Sequence, residues 1–259
     1  MEVVPLHSAD EVARLAADTV ERLVRERPDA VLGLATGSSP VPAYRELVRR
    51  HESGVAPSYA GVRCALLDEY LGLPAGHPQT YRATIARDVT DALGIPAERV
   101  HAPDPADPER AGSTYEALLG DLGGVDLQVL GIGTDGHLAF NEPGSSLGSR
   151  TRVKTLTEQT RADNARFFGA PDEVPRHVLT QGLATIGDAR HLLLVATGAS
   201  KADAVAAAVE GPLTASCPAS VLQLHPHVTV LLDAAAAARL ANAEHYRHVY
   251  AGKPAWQRL

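Results

Sequence analysis

The stretch Val31-Leu-Gly-Leu-Ala-Thr-Gly-Ser-Ser-Pro40 decides the fold class of this chain. Its first five residues form a short apolar run, which is typical of a buried strand. The glycine and serines that follow predict a turn into a helix, in which Ser39 caps the first turn and Pro40 occupies it. The helix is expected to continue to about Arg50. A strand that leads through a glycine turn into a helix is the repeating unit of parallel α/β sheets.

The same unit recurs further along the chain. Further buried strands are predicted at residues 62–67, 127–130, 191–197 and 228–232. Helices are predicted at residues 8–27, where Ser8 and Glu11 have capping-box spacing, and at 80–93, 201–210 and from Asp233 onward. Strand followed by helix at least four times predicts parallel pairing with helices on both faces of the sheet. We therefore predict a single-domain, Rossmann-like open parallel sheet over residues 1–259.

Composition and charge exclude several classes of function. A formal net charge of −7 disfavours binding to nucleic acid or to an anionic membrane through a broad basic face. No apolar run reaches the roughly 18 residues that suggest a membrane span. The N-terminus lacks the pattern of a secretory signal, and Cys64 and Cys217 are too few for a disulfide framework. We expect a cytoplasmic protein that binds a small molecule and neither nucleic acid nor membrane.

Two glycine turns between a strand and a helix predict anion binding. The turn formed by Thr36, Gly37, Ser38 and Ser39 would direct backbone N–H groups and a helix dipole at a phosphate. Thr197-Gly-Ala-Ser-Lys201 repeats the arrangement and adds a lysine, which opposes the helix dipole unless an anion lies between them. Neither turn has the spacing of a nucleotide-binding loop. A sugar phosphate would satisfy both turns, although the first is equally explained by simple turn formation.

Two neighbouring acids, Asp68 and Glu69, end the second predicted strand. Because successive side chains of an extended chain point to opposite faces, only one of them should enter a shared pocket. The spacing does not choose between them, and both could instead be solvated acids at a turn.

The densest group of proton-transfer residues is Gly-Ile-Gly-Thr-Asp-Gly-His-Leu-Ala-Phe-Asn-Glu, from Gly131 to Glu142. Asp135 can orient the imidazole of His137 and tune its charge near neutral pH, and Glu142 can extend the relay. One alternative is a structural loop in which His137 packs. Another is a metal site of histidine and carboxylates, which the absence of an HExxH motif disfavours.

Five motifs together resemble the glucosamine-6-phosphate deaminase family, over a span from Pro5 to about His248. They are Leu34-Ala-Thr-Gly-Ser-Ser-Pro40, Leu67-Asp-Glu-Tyr-Leu-Gly-Leu-Pro74, Gly131 to Pro143, Ser149-Arg-Thr-Arg-Val-Lys-Thr-Leu-Thr157 and Ser220-Val-Leu-Gln-Leu-His-Pro226. This fold is shared with 6-phosphogluconolactonases and with the sugar-sensing domains of some bacterial regulators. The resemblance implies conversion of glucosamine 6-phosphate to fructose 6-phosphate and ammonia without a cofactor or a metal.

The resemblance also implies roles for the acids and the histidine. Asp68, rather than Glu69, is the acceptor of the proton on C2 of the sugar. Asp135, His137 and Glu142 assist the opening of the pyranose ring. These roles follow from the family's motifs and not from spacing.

Substrate and effector binding are implied in the same way. The phosphate would be bound by the turn at residues 36–39, by Arg166 and by Lys201. From the residues alone, Arg161 and Arg166 are five apart, so only one should reach the site, and a solvated arginine is the common alternative. Allosteric, hexameric members bind N-acetylglucosamine 6-phosphate at positions that correspond here to Ser145, Ser146, Arg152 and Lys154. A homo-oligomer is therefore compatible with the resemblance.

Two rival functions share the fold. A 6-phosphogluconolactonase activates water and needs no C2 proton acceptor, so the Asp-Glu-Tyr motif at 68–70 argues against it. A sugar-phosphate-sensing regulator carries a DNA-binding helix-turn-helix, and nothing before Val31 supplies two such helices.

Overall fold

The computed structural model describes residues 1–74, 76–254, 256–257 and 259. Within them the strands are β1 (Glu2–Pro5), β2 (Val31–Leu34), β3 (Arg63–Leu66), β4 (Asp68–Tyr70), β5 (Val100–His101), β6 (Leu127–Leu130), β7 (Arg152–Thr155), β8 (His177–Thr180), β9 (Leu192–Ala196) and β10 (Val228–Leu232). The α-helices are α1 (Ala9–Glu26), α2 (Val41–Glu52), α3 (Tyr81–Ile85), α4 (Pro108–Asp121), α5 (Glu158–Asn164), α6 (Leu183–Gly187), α7 (Ala202–Val209) and α8 (Ala243–Ala251). None of the described helices is both long enough and apolar enough to span a membrane.

Seven strands form one parallel sheet in the order β1-β10-β9-β6-β2-β3-β5. Successive side chains of β9 alternate between two cores: Leu194 belongs to a cluster that includes residues of α4, α6 and α7, and Leu193 belongs to one that includes residues of α1 and α2. Strands that are buried on both faces read as continuous apolar runs, which is why five of the seven were visible in the sequence. The two edge strands, β1 and β5, were not predicted. The prediction of a Rossmann-like parallel sheet with helices on both faces is confirmed.

Helix α1 begins as predicted, because the Ser8 side chain accepts a hydrogen bond from the backbone N–H of Glu11. Helix α2 does not. It begins at Val41, with Pro40 at the N-cap and no side-chain cap, so the predicted capping by Ser39 is wrong. Of the two backbone N–H groups that a cap at Ser39 could accept, those of Val41 and Pro42, the second is missing because proline has none.

The predicted helix after Asp233 is also wrong, since residues 234–239 form turns. The Asp233 carboxylate accepts hydrogen bonds from the backbone N–H groups of Gly198 and Ala236. It therefore ties this segment to the loop after β9 instead of leading into a helix. The helix predicted over residues 80–93 is shorter, with α3 followed by a π-helical turn, Ala86–Thr90.

A second, three-stranded antiparallel sheet, β4-β8-β7, was not predicted. Only Leu67 separates β3 from β4, so this sheet lies at the carboxyl end of β3. Asp68 of β4 is paired with Thr180 of β8. Strands of three or four residues with polar side chains give a weak periodic pattern, which explains why the sequence did not reveal them.

Candidate active site

Four neighbouring strands deliver the predicted functional segments to one edge of the sheet. In the order β9-β6-β2-β3, these strands lead into Lys201, the segment 131–142, the turn 36–39 and Asp68. In open parallel sheets, loops at the carboxyl ends of the strands form the ligand site. The topology therefore brings together residues that are up to 165 positions apart, as between Thr36 and Lys201.

The Glu69 side chain is fully used in hydrogen bonds to the backbone. Its carboxylate accepts three backbone N–H groups: from Tyr70 at 2.8 Å, from Tyr81 at 2.9 Å and from Arg82 at 3.0 Å. Tyr81 and Arg82 form the start of α3, so Glu69 caps this helix. Desolvation by burial raises the pKa of Glu69, and the three hydrogen bonds oppose that rise. This carboxylate has a structural function.

Asp68 has a different environment from its neighbour. Only 6% of the residue is exposed, and within the described residues its carboxylate makes no hydrogen bond. Desolvation by burial raises the pKa of Asp68 well above its ordinary value, and the charge of Glu69 adds to the rise. A carboxyl group with a raised pKa and no committed partner is suited to accept a proton near neutral pH.

Asp135 and His137 form a close pair on the glycine turn. The Nδ1 atom of the imidazole lies 2.6 Å from Oδ1 of Asp135, which also accepts the backbone N–H of His137 at 3.1 Å. The hydrogen bond from His137 lowers the pKa of Asp135, so the carboxylate is ionised and Nδ1 carries the proton. The other ring nitrogen, Nε2, is then available to exchange a proton with a ligand. The ring lies over Gly133, where a Cβ atom would be 2.2 Å from Nδ1.

The segment after His137 is fixed by residues that the sequence reasoning did not single out. The Asn141 side-chain amide donates to the carbonyl oxygens of Leu138 at 3.0 Å and Gln181 at 2.8 Å. The N–H of Phe140 donates to the Thr180 hydroxyl at 3.1 Å. These bonds offset the cost of a positive φ of 52° at Ala139, a conformation that costs an L-residue roughly 1–2 kcal/mol.

Gln181 connects that segment to the strand end that carries Asp68. Its backbone N–H donates to the Leu67 carbonyl at 2.7 Å, and its side-chain amide donates to the Leu66 carbonyl at 3.1 Å. The neighbouring Thr180 is the strand partner of Asp68. Residues 180–181 therefore set the spacing between Asp68 and the turn with His137. In the sequence, the only signal of this connection is the Thr-Gln pair at 180–181, and such a pair is not specific.

Glu142 is buried and accepts hydrogen bonds from the hydroxyls of Thr157, at 3.0 Å, and Thr160. It makes no hydrogen bond with Asp135 or His137. The predicted direct relay from Glu142 to His137 is therefore absent from this structure, and a role for Glu142 during ring opening stays a prediction.

A loop at residues 214–220 clamps the turn with His137. Ala219 donates its N–H to the Gly136 carbonyl at 2.8 Å, and Gly144 donates to the Ala215 carbonyl at 2.8 Å. Gly136 has a φ of 84°, and a Cβ atom there would lie 2.6 Å from Sγ of Cys217. The loop therefore holds both ends of the segment 136–144 and leaves no space for a side chain at position 136.

The predicted phosphate-binding residues occupy three places. In the turn at 36–39, Gly37 and Ser38 are exposed, Gly37 has a φ of 113°, and the following α2 has no side-chain cap. Lys201 ends a 3₁₀ turn directly before α7, after Gly198 with a φ of 90°. Because β9 and β2 flank β6, these two turns lie on either side of the segment with His137.

Of the two arginines weighed for this site, Arg166 is exposed in a 3₁₀ turn, with its guanidinium 4.8 Å from the centre of the Phe167 ring. Arg161 donates to the Val174 carbonyl at 3.2 Å.

Two of the predicted effector residues are in contact. The Lys154 ammonium donates to the Ser145 hydroxyl at 3.4 Å, and Arg152, two residues earlier on β7, projects to the same face as Lys154. The Arg152 guanidinium donates to the Arg150 carbonyl at 3.2 Å, and burial lowers the pKa of Arg152. Ser146 is exposed. Among the described residues, histidine, cysteine and acidic side chains do not gather in groups of three or more that could hold a metal ion.

This chain is similar to known proteins over nearly its whole length. The model described as glucosamine-6-phosphate isomerases/6-phosphogluconolactonase matches residues 5–231. This chain belongs to that family. It is 60% identical over 262 residues to the glucosamine-6-phosphate deaminase of Arthrobacter sp. strain FB24, with 100% of both chains covered. It is 57% identical over 260 residues to that of Mycolicibacterium smegmatis, with 99% of both chains covered.

Two solved structures are also similar to this chain. A monomeric glucosamine-6-phosphate deaminase is 41% identical, with a TM-score of 0.89, and the match covers 92% of this chain and 100% of that one. The 6-phosphogluconolactonase from Trypanosoma cruzi is 21% identical, with a TM-score of 0.73 and coverage of 93% and 97%. The second likeness extends to the fold alone.

Proposed function

We propose that this chain converts glucosamine 6-phosphate and water to fructose 6-phosphate and ammonia. The observation that carries the proposal is the difference in environment between two adjacent acids. Glu69 caps α3, whereas the buried Asp68 carboxylate has no hydrogen-bond partner among the described residues. A free, buried carboxylate beside the Asp135–His137 segment supplies the acceptor that an aldose-ketose isomerisation needs. The identity of 55–60% to deaminases over nearly the whole chain supports the same reaction.

Ring opening comes first. The hydrogen on C2 becomes acidic only when C1 is an aldehyde, so the pyranose must open before the proton can be removed. In the proposal, Nε2 of His137 moves a proton from the C1 hydroxyl to the ring oxygen. The Asp135 carboxylate holds the imidazole through Nδ1 and stabilises it when it is protonated.

Isomerisation and deamination follow. Asp68 takes the proton from C2, and the electron pair forms the C1–C2 double bond of an enolamine as the aldehyde oxygen gains a proton. Return of a proton to C1 gives an imine at C2. Water adds to this imine, the C–N bond breaks, and ammonia leaves together with fructose 6-phosphate. The chemistry uses side chains alone.

Phosphate binding would position C2 relative to Asp68. The uncapped start of α2, Arg166 and Lys201 offer N–H groups and positive charge to a dianion. Binding energy at the remote phosphate is then used for orientation at the reacting carbon.

The test is to incubate the purified chain with glucosamine 6-phosphate and to measure ammonia and fructose 6-phosphate. Equal amounts of the two products are expected. Hydrolysis of 6-phosphogluconolactone in a parallel assay, with no ammonia released from glucosamine 6-phosphate, would instead favour the lactonase. Binding of glucosamine 6-phosphate without turnover would favour a sensing module.

Three further expectations remain proposals about the same protein. We infer that residues 1–259 act as one domain in the cytoplasm, where phosphosugars are found. The contact between Lys154 and Ser145 supports an effector site for N-acetylglucosamine 6-phosphate that includes Ser146 and Arg152. A lower KM when this compound is added, and a homo-oligomer seen by light scattering, would support regulation of the allosteric kind. A monomer whose KM is unchanged would contradict it.

A further inference from the structure

The start of the phosphate turn has an unusual anchor. Ala35 is the first residue after β2, and only 4% of it is exposed. The pairing of β2 with β3 ends at Leu34, and its pairing with β6 ends at Gly33. The N–H and C=O groups of Ala35 therefore lie beyond both ladders, where they need other hydrogen-bond partners.

One side chain satisfies both groups. The Tyr44 hydroxyl accepts the Ala35 N–H at 3.1 Å and donates to the Ala35 carbonyl at 2.9 Å. Tyr44 is the fourth residue of α2, and 1% of it is exposed. Burial raises the pKa of Tyr44, so the phenol stays protonated and can donate and accept at once.

These two hydrogen bonds close a short loop of the backbone. It joins the end of β2 to the first turn of α2 across residues 36–40, which include the predicted phosphate-binding turn. The helix has no side-chain cap of its own, and Gly37 has a φ of 113°, which residues with a side chain rarely adopt. The Tyr44 hydroxyl is therefore a hydrogen-bonded contact that holds the strand end relative to the helix start.

We infer that Tyr44 is a positioning residue for phosphate binding, acting through Ala35 on the direction of the N–H groups in the turn 36–39. This inference rests on the proposed function, in which that turn binds the phosphate of the sugar. Removal of the hydroxyl leaves two buried backbone groups without partners. The strand end then shifts or admits water, and the N–H groups no longer converge on the phosphate.

The test compares Tyr44→Phe with Tyr115→Phe. Tyr115 is equally buried, and its hydroxyl donates to the carbonyls of Leu66 and His101. The control therefore also removes one tyrosine hydroxyl that has two backbone partners. Three quantities are measured for each protein: KM and kcat for glucosamine 6-phosphate, the inhibition constant of inorganic phosphate, and the rise in Tm that inorganic phosphate causes. The Tm shift is taken relative to the same variant without phosphate, which separates binding from a loss of stability.

For Tyr44→Phe we expect KM and the phosphate inhibition constant to rise together by about tenfold, the size expected for one hydrogen bond, with kcat changed less than about twofold. The phosphate-induced rise in Tm should shrink. Tyr115→Phe should lower Tm and leave the phosphate inhibition constant and the phosphate-induced shift unchanged.

An unchanged inhibition constant and an unchanged phosphate-induced shift in Tyr44→Phe would overturn the inference and leave Tyr44 a purely structural residue. If the unaltered chain released no ammonia, the proposed reaction would fail. The phosphate-induced shift in Tm would still show whether Tyr44 acts on an anion-binding turn.

Discussion

At the scale of single residues, two adjacent acids differ because β4 is extended. Neighbouring side chains of a strand point to opposite faces, so Glu69 reaches the start of α3 while Asp68 faces away from it. Three N–H donors hold Glu69 in place. The cost of burying Asp68 without a partner is the kind of cost that functional groups carry.

Glu69→Gln should therefore lower stability more than it lowers catalysis. The glutamine amide keeps one acceptor oxygen but turns an NH₂ group toward N–H donors, so at least one hydrogen bond at the start of α3 is lost. We expect the free energy of unfolding to fall by about 1–3 kcal/mol, measured by urea denaturation. A variant of normal stability but without turnover would mean that Glu69, and not Asp68, is the proton acceptor.

The choice between these acids could not be made from spacing. Alternation along a strand predicts that one acid enters the site, but the identity of that acid depends on where residues 81–82 fold back. The proximity of Asp135 and His137 was predictable, because a separation of two residues on a glycine turn is local information.

At the scale of elements, the loop 214–220 is the support of the turn with His137. The Ser220 hydroxyl is fully buried, and it accepts the Thr214 N–H at 2.9 Å and donates to the Thr214 carbonyl at 3.0 Å. This closes the loop whose N–H from Ala219 holds the Gly136 carbonyl. Ser220 thus stabilises the loop that holds the residue directly before His137.

Ser220→Ala is expected to lower kcat by about tenfold while KM changes little, since it disturbs the orientation of His137 and leaves the phosphate turn intact. The acid limb of the pH profile of kcat should also move, because the Asp135–His137 geometry changes. Ser216→Ala, on the exposed part of the same loop, is the matched control and should behave as the unaltered chain. Equal effects of the two changes would show that the loop does not position the turn.

The elements that escaped sequence reasoning are short or polar. β4 has three residues, and β7 alternates between half-buried and exposed positions. The pairing of β4 with β8 depends on contacts between residues that are more than 100 positions apart, as for Asp68 and Thr180. The long buried strands were predictable because burial on both faces forces a continuous apolar run.

At the scale of the whole molecule, a pair of stacked histidines lies at the edge of the sheet opposite the candidate active site. His191 directly precedes β9, at the amino end of the strands, and its ring stacks on His227 with centroids 3.7 Å apart. Its Nε2 lies 2.9 Å from the Thr229 hydroxyl. Burial, with the nearby charges of His227, Arg22, His225 and Lys253, lowers the pKa of His191 to about 3.

This depressed pKa predicts a loss of stability in acid. Between pH 6.5, where an unfolded imidazole titrates, and about 3, the folded chain binds fewer protons at His191 than the unfolded chain. The free energy of unfolding should therefore fall as the pH is lowered through this window. In His191→Asn the fall between pH 7 and pH 4 should be smaller, whereas the exposed His245→Asn should keep it. An identical slope in all three proteins would rule out His191 as the cause.

The order of the strands is the part of the architecture that local patterns do not encode. The sequence predicted that polar loops would gather at the carboxyl edge, which is a general property of such sheets. That β9, β6, β2 and β3 are neighbours, and so place Lys201, His137, the turn 36–39 and Asp68 in one row of loops, depends on packing across the whole chain.

The central claim concerns removal of the C2 hydrogen by Asp68, and the most direct measurement is the turnover of Asp68→Asn on glucosamine 6-phosphate. The amide keeps the size of the side chain and cannot accept the proton. We predict a fall in ammonia release of at least about 100-fold with inhibition by inorganic phosphate unchanged. Ammonia release close to that of the unaltered chain would contradict the account.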